Sequence, residues 1–157
     1  MVSLQFYNES DFAGVNYTLD HIQAAYTSTA ALALNRISER DTGLEFAVTV
    51  FSNENPAGFF TLDFGDDKLD ATGNPDSVLL RSLSVNPEFQ GKGVGRRIML
   101  QVDGFIRENF KDCNEIVLAV NHDNSSAYEL YLKAGYHNEG RTKTGRNGLQ
   151  YLMYKKL

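Results

Sequence analysis

The strongest constraint on the fold lies between Ser77 and Val120. An apolar run, SVLLRSLSV, leads into the connection NPEFQGKGVGRR and then into a helical pattern from about Val94 to Phe110. Ile98, Met99, Val102, Phe105 and Ile106 fall on one face of that helix. A second apolar run, EIVLAV, follows. A chain that leaves a sheet through a helix and returns makes a crossover, and the two strands it joins run parallel. The next segment repeats the pattern. NSSAYELYLKAGY reads as a short helix, capped by Asn124 or Ser125 and closed by Gly135 where a left-handed cap favours glycine.

Antiparallel signals surround this unit. SLQFY alternates as a first strand. LEFAVTVF and AGFFTLDF form a hairpin around the turn SNENP, and YHNEGRT and LQYLMYKK form another around KTGRNG. TLDHIQAAY reads as a helix with Thr18 as its cap, STAALALNRI as a second helix from Ser28 or Thr29, and GDDKLDATGNP as a loop. The expected class is therefore α/β (α+β). One domain, residues 1–157, carries a mixed sheet of six to seven strands flanked by about four helices.

Composition narrows the function. The chain has 157 residues, 42% hydrophobic and 22% charged, with net charge −5. That is the make-up of a soluble globular domain. No run approaches a membrane span, and MVSLQFYNES lacks the regions of a signal peptide. Cys113 is the single cysteine, so no intrachain disulfide forms and a cytoplasmic setting is expected. The basic residues are scattered, which argues against a nucleic-acid face. His21, His122 and His137 lie far apart, so no metal site is expected.

The segment with most chemistry is the glycine connection. Gly91, Gly93 and Gly95 alternate with Lys92 and Val94, and Arg96 follows. A helix N-terminus exposes unpaired N–H groups with partial positive charge, and glycines let a phosphate or pyrophosphate approach them. The other reading is a tight strand-to-helix turn in which glycine only relieves strain. A P-loop needs Lys-Ser/Thr after its last glycine, yet Arg96 follows Gly95. The spacing G-x-G-x-G also departs from the dinucleotide pattern.

SLSVNPEFQGKGVGRRIM resembles the acetyl-CoA-binding motif of the GNAT superfamily of N-acetyltransferases, with Gln-x-x-Gly-x-Gly at Gln90, Gly93 and Gly95. VNHDNSSAYELYLKAGY is similar to the family's second motif through Asn124, Ala127, Leu130, Tyr131, Lys133, Gly135 and Tyr136. The resemblance implies a GNAT fold in which splayed central strands form the acyl-CoA slot. It implies that amides from Gln90 to Arg96, including Gly91, Lys92, Gly93, Val94 and Gly95, hold the pyrophosphate of coenzyme A. Leu83 and Val85 would pair with the pantetheine arm, Asn124 would contact the cofactor, and Tyr131 would protonate the leaving thiolate. Homodimers are common in the family, and LQYLMYKK, read as an exposed strand, could take part in one, though nothing in the sequence decides this. The alternative to an enzyme is a GNAT-like module that binds acyl-CoA without turnover.

The resemblance implies an acceptor that is a primary amine of a small molecule, amino acid or peptide, attacking the thioester directly. Such an amine must lose a proton, since a lysine-like amine has a pKa of roughly 10.4. Relatives resembling E-S-L-x-V place a glutamate base before the glycine loop. Here the stretch is R-S-L-S-V, and Arg81 cannot accept a proton. Two readings of Arg81 stand: it binds a substrate carboxylate, or it forms an ion pair with a loop aspartate. Deprotonation would fall to water, Asp63 or Glu45. Tyr17, Tyr26 and Phe60 are candidate wall residues, and His122 is a candidate contact beside the slot. Cys113 has no partner base in the sequence that would make it a nucleophile.

Overall fold

The computed structural model describes residues 1–157. Seven strands form one mixed sheet in the order β1-β2-β3-β4-β5-β7-β6. They are β1 (Val2–Phe6), β2 (Glu45–Ser52), β3 (Asn55–Asp63), β4 (Ser77–Val85), β5 (Glu115–Asn121), β6 (His137–Gly145) and β7 (Gly148–Lys156). One helical turn, α1 (Phe12–Val15), precedes four longer helices: α2 (His21–Tyr26), α3 (Ala30–Arg40), α4 (Val94–Asn109) and α5 (Ser125–Lys133). Only β4 and β5 run parallel. The crossover through α4 makes them so.

The alternation of β4 sends its side chains to two faces. Val78 and Leu80 join the main core with Ile98, Met99 and Val102 of α4 and with Tyr131 of α5. Leu79 packs on the opposite face with Val117, Leu152 and Tyr154. On that second face Phe59 also packs against Ala30 and Ala33 of α3. Helices α4 and α5 thus cover one side of the sheet and α1 to α3 the other.

Several local expectations change. Asp20, not Thr18, caps α2: its Oδ1 accepts from the N–H groups of Ile22 and Gln23 at 3.0 and 2.9 Å. A carboxylate offers two oxygens to the orphan amides and takes the cap. The last hairpin is longer than read, because β6 runs through Lys143 to Gly145. Strand β7 is interior, between β5 and β6, and Leu152, Met153 and Tyr154 are buried. Its apolar centre therefore faces the core, so this strand is not an exposed edge for a partner subunit. The free edges belong to β1 and β6.

Candidate active site

The centre of the sheet is unzipped. Strands β4 and β5 pair only from Ser77 to Leu79 against Glu115 to Val117. Beyond Leu79 the two strands diverge, and a cleft of about 1160 Å³ opens between them. Its walls include Leu83 and Val85 on one side and Ala119 and Asn121 on the other. Unpaired strand backbone at a splay can bond an extended ligand carrying amides of its own.

The glycine connection closes one end. Gly91 and Gly93 sit at φ +74° and +77°, where glycine alone is free of Cβ strain, and Gly93 is the cap of α4. None of the N–H groups from Gly91 to Arg96 has an acceptor in the chain. They form an open set of donors at the positive end of a sixteen-residue helix. Arg96 lines the cleft and makes no ion pair. Lys92 is exposed and lies over the Phe89 ring at 5.6 Å.

Asn124, the cap of α5, and Tyr131 within that helix also line the cleft. Asn124 caps α5 by accepting from the Ala127 N–H at 3.3 Å. Its amide nitrogen has no partner in the chain, and Asn124 lines the cleft. Tyr131 is 9% exposed and borders the cleft. Its ring lies 5.9 Å from that of Tyr136. Burial pushes its pKa up to about 12, so the phenol stays protonated across the neutral range. A protonated hydroxyl bordering the slot is a ready donor.

Comparison with known proteins decides the family. The model of the Acetyltransferase (GNAT) family matches residues 13–136. The chain is 32% identical over 158 residues to the uncharacterized N-acetyltransferase YbbJ of Bacillus subtilis (strain 168), covering 98% of this chain and 96% of that protein. The chain belongs to the GNAT acetyltransferase family. Its activity is that of an acetyl-CoA-dependent N-acetyltransferase. The fold is also that of the aminoglycoside acetyltransferase AAC(6')-Ib in complex with coenzyme A, at TM-score 0.77, 19% identity and coverage of 99% and 95% of the two chains. The spermidine N-acetyltransferase of Vibrio cholerae, in complex with CoA and spermine, aligns at TM-score 0.71 and 18% identity, with coverage of 99% and 95%.

In this GNAT protein the pairing of β3 with β4 is irregular. Phe59 stands opposite Ser84 and Thr61 opposite Arg81, so β4 has one residue more than β3 across this stretch. The extra residue makes a bulge, and Ser82 within it adopts φ +58°. A non-glycine residue held there is strained, and such strain gathers at functional sites. The Ser82 hydroxyl shares a hydrogen bond with Ser28 at 3.1 Å, and Arg36 Nη2 donates to it at 3.4 Å.

Arg81 forms an ion pair. Its Nη1 donates to Asp63 Oδ2 at 3.1 Å and to Asp67 Oδ2 at 2.8 Å. The guanidinium still borders the cleft, but its charge is spent on the aspartates. Asp63 is 3% exposed and held by this contact, so it is not a free base. Glu45 is equally engaged, accepting from Arg36 Nη2 at 2.5 Å and from the Thr61 hydroxyl at 2.8 Å. Burial alone would raise the Glu45 pKa, but these bonds and the charges of Arg36 and Arg81 hold it below the ordinary value. Asp67 of the acidic loop is thus matched by Arg40 and Arg81.

Of the candidate wall residues, Tyr26 borders the cleft. Tyr17 instead shares a hydrogen bond with the buried Ser84 at 2.7 Å, and Phe60 is fully buried core. His122 is exposed and off the cleft wall, and Cys113 donates weakly to the Glu115 carbonyl at 3.5 Å. No local motif singles out Gln23. Its side chain accepts from the Val85 N–H and donates to the Val85 carbonyl, both at 2.9 Å. Asn86 N–H bonds Ala57 of β3, so the Val85 groups point the other way, into the slot. Gln23 holds the backbone edge that the pantetheine arm was expected to use. Only a fold that lays α2 across the slot brings residues 23 and 85 together.

Proposed function

We propose that acetyl-CoA lies in the β4–β5 cleft, with its pyrophosphate on the amides of Gly91 to Arg96 and its pantetheine along Leu83 and Val85. The observation that carries this reading is the early end of β4–β5 pairing at Leu79, beside a helix N-terminus whose amides have no acceptors. Asn124, on the far wall, offers its amide nitrogen. Acetyl-CoA supplies the activated acetyl group. The residues around it orient the thioester, and Tyr131 holds the proton that the departing sulfur needs.

The reaction is direct attack. A neutral amine presents its lone pair to the thioester carbonyl carbon, near the Ser82 bulge. The C–N bond forms, the C–S bond breaks, and the Tyr131 phenol gives its proton to the thiolate. The proton lost by the nitrogen passes to water, and solvent restores the phenol. No free carboxylate base is needed if the amine arrives neutral. The acceptor is a primary amine of a small molecule or peptide. A lone, partly buried Cys113 and the use of acetyl-CoA fit a cytoplasmic setting.

Tyr131→Phe tests this reading through amine-dependent release of free thiol from acetyl-CoA. The phenylalanine keeps the packing and removes the donor. We expect kcat to fall by ~10²-fold or more, with acetyl-CoA affinity nearly unchanged. A variant as fast as the wild type would remove Tyr131 from the chemistry. A wild type that binds acetyl-CoA yet releases no thiol with any amine would favour the non-catalytic module instead.

A further inference from the structure

The two faces of the sheet give the cleft two chemistries. Helices α4 and α5, with the glycine connection, stand on the cofactor side. The acceptor must come from the other face, between α2, the β4 bulge and the tip of the β6–β7 hairpin. Sheet register identifies what waits there. Asn121 of β5 stands opposite Gln150 of β7, and Gln150 stands opposite Lys143 of β6. Residues directly opposite share a face, so these three side chains form one row.

That row faces α2. Asn121 Nδ2 donates to the Asn147 carbonyl at 3.2 Å, and Asn147 Nδ2 donates to the Ala25 carbonyl of α2 at 2.5 Å. The hairpin tip is thereby tied across the acceptor mouth. Lys143 and Arg146 both line the cleft there, and neither makes an ion pair. The other charges on this side cancel: Arg36, Arg40 and Arg81 meet Glu45, Asp63 and Asp67. Two carboxylates line the cleft itself. Asp20 is fully engaged by Gln23, Gln90 and the start of α2, and Glu129 lies on α5, the cofactor-side helix. On the rim, Asp123 lies beside Tyr26 and, after partial desolvation, helps raise the pKa of its phenol.

We infer that Lys143 and Arg146 form an anion subsite, and that the acceptor is an amine carrying a carboxylate or phosphate away from its nitrogen. The inference rests on the acetyltransferase reading above. A polycationic acceptor would meet two unpaired cations at the mouth, and the one free carboxylate lining the cleft, Glu129, lies on the cofactor-side helix α5. The missing base points the same way. A peptide α-amine, with a reference pKa of about 8, is partly neutral at physiological pH, whereas a lysine-like amine at roughly 10.4 is not. Nearby cations lower an amine pKa further. A short peptide with a free carboxylate satisfies both conditions.

Matched pairs test the subsite. Alanyl-alanine is compared with its C-terminal amide, and phosphoethanolamine with ethanolamine, with spermidine as the polycation. Binding to the protein–CoA complex is measured by calorimetry, and turnover by thiol release. We expect the anionic member of at least one pair to bind about tenfold tighter or better than its neutral partner. The pair with the larger ratio tells carboxylate from phosphate. The double variant Lys143→Gln/Arg146→Gln should erase that preference while leaving acetyl-CoA affinity intact. Equal binding within both pairs, or tighter binding of spermidine, would overturn the subsite. Turnover without any acid preference would overturn it and leave the acetyltransferase reading standing. Selective binding of the acid without turnover of any amine would do the reverse.

Discussion

Arg81 changes task because of its neighbours. Sequence reading left two roles for it, and the structure assigns the ion pair, since Asp63 and Asp67 lie within 3.1 and 2.8 Å. Nothing in the run R-S-L-S-V could choose. The partners come from the adjacent strand and the loop after it, and only β3–β4 register brings them close. Asp63 is nearly fully buried, so removing its closest cation leaves a carboxylate in low dielectric. Arg40, 4.0 Å away, compensates only in part. Arg81→Ala should lower unfolding stability by about 2–3 kcal/mol in urea titration. Arg81→Lys should lose less. Acetyl-CoA affinity should hardly move, and a large drop in it would mean that Arg81 reaches the cofactor. The motif around Tyr131 is contiguous in the sequence, and α5 sets that residue on the border of the cleft.

Strands and amphipathic helices were legible wherever local periodicity decides them. The buried stripe of α4 and the apolar runs of β4 and β5 fall where the pattern puts them. What could not be read is how elements meet. The interior place of β7, the bulge at Ser82 and the single turn of α1 all depend on pairing across the sheet. Helix α2 is the clearest case. It is six residues long, too short to stand alone, and is held by contacts at both ends. Gln90 Nε2 donates to Asp20 at 2.7 Å, Gln23 takes the Val85 backbone, and Asn147 reaches Ala25. The helix thus straps the slot, and Gln23 competes with any amide that would pair with Val85. Gln23→Ala should free that edge and tighten acetyl-CoA binding by about three- to tenfold, as measured by calorimetry. Weaker binding would show that Gln23 instead helps to hold the cofactor.

Across the whole molecule, stability should fall at both ends of the pH scale. Hydrogen bonds from Arg40 and Arg81 hold the Asp67 carboxyl below its usual range, and Glu45 is held low by Arg36 and Thr61 against its own burial. A lowered folded pKa stabilises above the unfolded value and is lost as pH falls through the folded one. Burial pushes the phenols of Tyr17 and Tyr131 up to about 12 from 10.0. Their contribution is full below pH 10 and is lost as pH rises toward 12. Urea midpoints should therefore be flat from about pH 5 to 9 and decline on either side. Tyr131→Phe should soften the alkaline decline, and an unchanged alkaline limb would mean that this phenol does not titrate with folding.

The central claim is that the gap in the sheet is the place of acetyl-CoA. Amide hydrogen exchange, resolved by residue in the free and CoA-bound protein, tests it most directly. The N–H groups of Gly91 to Arg96 lack acceptors in the free chain and should exchange fast. On adding coenzyme A they should become protected, together with Leu83, while the edge strands β1 and β6 stay unchanged. Protection absent from Gly91 to Arg96, with coenzyme A demonstrably bound, would contradict the account.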